Sequence, residues 1–174
     1  MDGYHLTRAQ LSAMPDPDNA HARRGAAFTF DASSFHSLLV SLRAPLAPES
    51  STIYAPSFDH ALKDPVADDI AIPATCRIVV LEGLYIALDE GAWKEARELM
   101  DEVWFVEVDE KRARERLVRR HVEAGIARDE EEAGRRADEN DLINGREIVE
   151  KRGVVDEVVV SREDGRWAPE RQGL

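Results

Sequence analysis

The segment Arg77-Ile78-Val79-Val80-Leu81-Glu82-Gly83 constrains this chain more than any other. Its apolar residues are consecutive rather than alternating, so a strand here is expected to be buried on both faces, as in a parallel sheet covered by helices. Helical and extended patterns alternate after it. A helix is expected near Glu90 to Met100, a strand from Val103 to Val108, helices from Glu110 to Ala124 and from Glu130 to Lys151, and a last strand from about Val154 to Val160. Such alternation predicts an α/β fold in three layers, with one parallel sheet flanked by helices. At 174 residues the whole chain is expected to be a single domain, with a polar, frayed tail over residues 161–174.

Upstream the pattern is less regular. Leu6 to Met14 is weakly helical, and the cluster Pro15-Asp16-Pro17-Asp18-Asn19 is expected to end that helix. Asp31 is a good N-cap for a helix carrying Phe35, Leu38, Leu39 and Leu42 on one face, closed by Pro45 and Pro48. Ile53-Tyr54 suggests a short strand, and Tyr54 to Ile72 then reads as a long loop, of a kind that is usually functional or disordered. Cys76 precedes the apolar run and reads as a small core residue.

Charge and composition narrow the partners. Lys and Arg total 23 against 35 Asp and Glu, a net charge of −12, so phosphate backbones are repelled and nucleic acid is not an expected partner. No apolar run reaches the roughly 18 residues of a membrane span, and Met1-Asp2 opens nothing like a signal peptide. One cysteine allows no internal disulfide, and the five histidines lack a zinc-type spacing. A soluble, cytoplasmic protein without a membrane partner is expected.

Several side chains could carry chemistry. Glu82 sits at the carboxyl end of the expected strand, where ligands of open α/β sheets bind; it could serve Mg²⁺ in a nucleotide site, or be an ordinary loop acid. Arg112, Arg116, Arg119 and Arg120 recur on one side of a helix. That stripe suits an anionic ligand, or is a solvated face paired with Glu110, Glu115 and Glu123. Asn140, Asp141 and Asn144 share a face that could read a ligand or simply be wet. Asp2 and His5 could do acid–base work or belong to an unstructured end. Tyr54, Asp59 and His60 make either a substrate contact or a turn. His21, His36 and His121 read as surface or helix residues.

Taken in order, these segments resemble a known family. Asp2-Gly3-Tyr4-His5-Leu6 and Arg23-Arg24-Gly25-Ala26-Ala27-Phe28-Thr29-Phe30-Asp31 are similar to the DGFHL and RRGAPxTFD signatures of uridine kinase-like P-loop kinases, a group that includes phosphoribulokinase and pantothenate kinase. Ala55-Pro56-Ser57-Phe58-Asp59-His60 with Asp64-Pro65-Val66, and Val80-Leu81-Glu82-Gly83-Leu84-Tyr85 through Trp93, resemble the blocks that follow. The arginine-rich helix looks like the family's lid. Ala27 stands where proline is usual.

The resemblance implies transfer of a phosphoryl group from ATP to a hydroxyl of a small molecule such as a nucleoside, a sugar or a pantothenate-like alcohol, with Mg²⁺. By position, Asp2 would be the general base, and Tyr4, His5, Arg24, Tyr54 and His60 would contact substrate. Glu82 would serve the metal, Arg116 and Arg120 the transferring phosphate, and Arg112, Arg119, Asn140 and Asn144 the nucleotide. One element of the family is absent from the sequence: nothing matches G-x-x-x-x-G-K-[ST]. The first strand, phosphate loop and first helix that precede the DGFH block in the family are expected to be missing, leaving the chain alone impaired as a kinase. A non-catalytic binding or regulatory protein on a kinase remnant is the alternative, and a subunit completed by another polypeptide a third.

Overall fold

Backbone ladders form in two places rather than one in the computed structural model, which describes residues 1–47 and 49–162. Strands β1 (Ile53–Asp59) and β2 (Asp64–Ile72) pair antiparallel, from Ile53 opposite Ile72 to Asp59 opposite Asp64. Strands β3 (Trp104–Glu107) and β4 (Glu157–Val160) pair in parallel, with Trp104 opposite Glu157. The chain is therefore α/β with small sheets. The two late strands fall where the pattern put them, within a few residues at each end.

Two expectations fail here. The stretch from Tyr54 to Ile72 is no loop but a hairpin. Its turn is tied by the Asp59 carboxylate, which accepts from the amides of Ala61 and Leu62 at 2.7 and 2.9 Å. Pro56 obscured it: proline gives the ladder no N–H, and the register slips between Ala55 and Ser57. Opposite that break Asp68 takes a left-handed φ of 54°. The second failure is Arg77 to Leu81, which joins no ladder among the described residues. Ile78 and Val80 are 83% and 85% exposed. Continuous apolarity reports a demand for cover, while a strand also needs a neighbour for its N–H and C=O groups. A single three-layer parallel sheet is thus not assembled among these residues.

The helices follow their caps. Thr7 and Gln10 form a reciprocal capping box at the start of α1 (Arg8–Ser12). The Pro15–Asn19 cluster does more than end that helix: Asp16 caps α2 (Pro17–Ala22), whose first residue is proline. Asp31 caps α3 (Ala32–Leu42), which buries Phe35, Leu38 and Leu39 as its spacing required. Of its expected closing prolines, Pro48 lies outside the described residues. After α4 (Gly91–Arg97), Asp109 caps α5 (Glu110–Glu123) and Asp129 caps α6 (Glu130–Arg136). The expected single helix from Glu130 to Lys151 contains a π-helical turn, Ala137–Asp141, between α6 and α7 (Leu142–Lys151). Of the expected polar tail, residues 163–174 lie outside the described residues. Among those described, no helix is long and apolar enough to cross a membrane.

An aromatic core fixes the start of the chain. Tyr4 meets Phe35 edge-on at 5.2 Å, Phe30 meets Tyr85 at 5.5 Å, and Trp93 lies 5.6 Å from Phe35. Tyr4 belongs to a 3-10 turn over Asp2–Tyr4, and its carbonyl accepts from Asp31 N at 2.7 Å. A Cβ on Gly3 would lie 2.0 Å from the Pro56 carbonyl oxygen, so glycine is what lets this turn press onto β1. The Met1 side chain packs against Gly83, and its amino group donates to the Glu82 carbonyl. The first residues are thus ordered beside Glu82. Cys76, expected in the core, is free and exposed.

Candidate active site

The turn over Asp2–Tyr4 divides two hollows. Asp2, Tyr4, His60 and Glu82 line a cavity of about 360 Å³ whose floor is the hairpin residues Ala55 to Phe58. Tyr4, His5 and Tyr54 line a second one of about 380 Å³, between α3 and the hairpin bulge. The sequence expectation that Asp2 and Glu82 serve one site is compatible with this placement. Two residues 80 positions apart come together because Gly83 accepts the Met1 side chain and Gly3 accepts the hairpin.

His5 is oriented by a backbone contact. Its Nδ1 lies 2.8 Å from the Asp2 carbonyl oxygen, which can only accept, so Nδ1 carries a proton and the neutral ring keeps its lone pair on Nε2. The ring lies 4.0 Å from Phe30 and 5.0 Å from Phe58. Burial pushes its pKa down, against the pull of the Asp2 carbonyl and carboxylate. Tyr4 is pushed up to about 12 by burial first and by the Asp31 carboxylate second, so its hydroxyl stays a donor at neutral pH.

Arg24 is already engaged. It donates to the carbonyls of Lys63 at 2.6 Å and Leu6 at 3.0 Å, reaches Asp64 at 3.3 Å, and lies 5.5 Å over the Phe58 ring. It clamps the hairpin turn to the loop after His5 and lines neither cavity. Its Nε is buried without a partner among the described residues. Tyr54 and His60 are exposed, His60 edge-on to Phe58 at 5.2 Å.

The arginine helix stands apart from both hollows. On α5, Arg112, Arg119 and Arg120 are exposed and carry no side-chain ion pair among the described residues, whereas Arg116 donates to Ser161 Oγ at 2.8 Å. None of the four lines either cavity. The opposite side of the helix is pinned. Arg114 grips Asp138 with bonds of 2.7 and 2.8 Å, and His121 Nε2 lies 2.8 Å from Asp141 Oδ2. His121, read from the sequence as a surface or helix residue, lies on α5 and is 4% exposed because α6 and the π-turn cover it.

Asn140 and Asn144 are buried, and their side-chain oxygens receive Arg23, at 2.9 Å from Nε and 2.7 Å from Nη2. Their face is therefore not solvated; it holds the loop ahead of Arg24. Arg23 escaped the sequence reading. The two asparagines four apart were the available sign that a polar partner faces this helix. Asp68, put into the second cavity by the hairpin bulge, was missed for the same reason as the hairpin.

Among the described residues no three His, Cys, Asp or Glu side chains gather into a metal site. A Mg²⁺ ion needs fewer, since it keeps several waters and takes one or two carboxylates beside phosphate oxygens. Glu82, with Asp2 on the same cavity, fits that demand. No phosphate cradle of the Walker A type is present in the sequence to fit ATP.

No protein-family model matches the chain. It is 52% identical over 167 residues to the ATP-dependent kinase-like protein notR' of Aspergillus versicolor, covering 96% of this chain and 95% of that one. It is 40% identical over 162 residues to a Schizosaccharomyces pombe protein named "Putative uridine kinase", covering 93% of this chain and 67% of that one. Among solved structures it superposes with a TM-score of 0.78 and 34% identity on YFH7 from Saccharomyces cerevisiae, titled "a putative P-loop containing kinase with a circular permutation". That match covers 94% of this chain and 57% of YFH7, so the chain spans little more than half the length of that relative. Sequence and fold agree, and the chain belongs to the P-loop kinase family that includes these ATP-dependent kinase-like proteins.

Proposed function

We propose that the chain carries the acceptor site and general base of an ATP-dependent phosphotransferase acting on the hydroxyl of a small molecule. One observation carries the reading: Asp2 and Glu82 line the same cavity, beside the neutral, fixed His5 and the buried Tyr4. An acceptor hydroxyl in that cavity loses its proton to an Asp2 carboxylate oxygen while its oxygen bonds to the transferred phosphorus. The bond from that phosphorus to ADP breaks. Glu82 would hold Mg²⁺, which when bound neutralises phosphate charge. His60 and Tyr4 orient the acceptor, and Arg24 acts on it indirectly, by fixing the hairpin. Arg112, Arg116, Arg119 and Arg120 act on phosphate only in a conformation where α5 has moved toward the cavity, as a lid does. Asn140 and Asn144 serve through Arg23.

Phosphoryl transfer rests on positioning and charge stabilisation. Losing one oxyanion donor can cost about 2.7–4 kcal/mol, so without a phosphate cradle these 174 residues alone turn over slowly or not at all. Joining a phosphate-loop segment of a P-loop kinase relative ahead of Met1 tests this reading. ATP hydrolysis that rises on adding an alcohol acceptor, with phosphate found on that alcohol, is the expected result. A folded fusion that binds ATP but phosphorylates no member of a nucleoside, sugar and pantothenate-like panel would overturn it.

A further inference from the structure

One turn of helix grips two separate parts of the molecule. Asp138 and Asp141, in the π-helical turn Ala137–Asp141, hold the arginine helix α5. Arg114 donates to Asp138 at 2.7 and 2.8 Å, and His121 Nε2 lies 2.8 Å from Asp141 Oδ2. Asn140, between those two acids, holds the loop at Arg23 and Arg24. It accepts from Arg23 Nε at 2.9 Å, and its amide reaches the Arg24 carbonyl at 3.5 Å. Asn144, one turn on, accepts from Arg23 Nη2 at 2.7 Å. We propose that the π-turn is a latch, which holds α5 away from the acceptor cavity and ties its release to the position of the Arg23–Arg24 loop. Asp138, Asp141 and His121 are the positioning residues of the latch, and Asn140 with Arg23 carries the link.

The α5 side is weakly fastened. Of its fourteen residues His121 alone is buried, so apolar burial, the usual anchor of a helix, contributes little. The buried ring is only half satisfied. The Asp141 carboxylate accepts, so His121 Nε2 carries the proton, while Nδ1 is buried with no partner among the described residues. With a lone pair or with a second proton, Nδ1 stays unpaired, a cost that water would relieve once α5 lifts. Arg114 and Asp138 are 45% and 47% exposed, so their ion pair adds little.

The loop side is tight. Arg24, next to Arg23, clamps the hairpin through the Lys63 and Leu6 carbonyls and Asp64. The Gly25 carbonyl accepts from the Tyr85 hydroxyl at 2.8 Å. A shift of the hairpin therefore passes through Arg24 and Arg23 to Asn140, whose sequence neighbour Asp141 holds the histidine. Single π-turns within helices are rare and occur mostly at functional sites, which suits this one to a switching role.

The inference rests on the reading that the α5 arginines act on phosphate only once α5 has moved. Its test uses neither nucleotide nor turnover, so the two fail separately. A detached helix of this length is marginal in water, so amide hydrogen exchange of the chain, followed by NMR, reports how often α5 lifts. Arg23→Lys keeps the charge, loses the fork, and alters a residue that makes no hydrogen bond to α5 among the described residues. It is expected to speed exchange of the Leu117 and Val118 amides about 3–10-fold, as coupling through shared partners does. Asp141→Asn weakens the catch itself and is expected to speed the same amides by a similar factor. With the catch already weak, adding Arg23→Lys is expected to change little, so the double variant exchanges about as fast as the faster single one. A second variant, Asp138→Asn, sits at a half-exposed ion pair where folding is least at risk. It is expected to speed the Arg24 and Ala26 amides about 2–3-fold. Unchanged α5 exchange in Arg23→Lys, single-variant factors that multiply in the double variant, or unchanged Arg24 and Ala26 exchange in Asp138→Asn would each overturn the inference.

Discussion

His5 is the residue whose state depends most plainly on its surroundings. Burial lowers its pKa, so the folded chain resists a proton that the unfolded chain takes up near its ordinary value of 6.5. The stability His5 contributes is therefore complete above about pH 6.5 and is lost as pH falls through that value toward the lower folded one. The urea midpoint is expected to drop between about pH 7.5 and pH 5.5, and His5→Phe to shrink that drop; an equal drop in the variant would contradict it. Arg23 makes a second case. Arg23→Ala strands the oxygens of two buried asparagines and is expected to cost about 1–3 kcal/mol in denaturant unfolding, with Arg23→Lys in between because an ammonium lacks the fork. A loss under about 0.5 kcal/mol would show that water replaces the guanidinium. Asp2 and Glu82 each belong to a short block of sequence, which is why the sequence alone singles them out. It does not single out Arg23, because its partners lie 117 and 121 residues away and no local pattern records a contact that long.

At the scale of elements, the Asp31 cap and the helical spacing read true wherever a helix could be stabilised from within. Asp31 bonds an amide of the first turn at 2.9 Å, and Asp109 and Asp129, which the sequence reading did not single out as caps, do the same at 3.1 and 2.8 Å. Strands were harder. The hairpin hid behind a proline and an acidic bulge, and Arg77 to Leu81 promised a pairing that depends on a neighbour the local sequence cannot supply. Two glycines separate close packing from helix propensity. Gly3→Ala places a Cβ 2.0 Å from the Pro56 carbonyl oxygen, and is expected to cost about 1–3 kcal/mol and disturb the Asp2 turn. Gly145→Ala, inside α7 with nothing within 4 Å, is expected to stabilise by about 0.5–1 kcal/mol. Thermal melts of the two variants check both signs, and a destabilised Gly145→Ala would mean that α7 packs more tightly there.

Over the whole molecule, the aromatic core is well packed while several large apolar side chains stay open. Tyr85, Phe35 and Leu88 are no more than 1% exposed, while Ile78, Val80, Trp104, Val106 and Val154 are 60% exposed or more. A soluble monomer rarely leaves such surface uncovered. The isolated chain is expected to bind the dye ANS and to associate as concentration rises, both reduced by Val106→Lys without loss of stability; light scattering that stays monomeric at all concentrations would contradict this. The family membership explains why Asp2, the hairpin and Glu82 converge. The convergence in turn makes Asp2 the centre of the account. In the chain joined to a phosphate loop, the most direct test is the kcat of Asp2→Asn with its KM and pH profile. A kcat about 10²–10⁴ lower is expected, with the KM for the alcohol changed little and the acidic limb of the pH profile gone. A kcat within a few-fold of the parent would remove Asp2 as the base and the proposed mechanism with it.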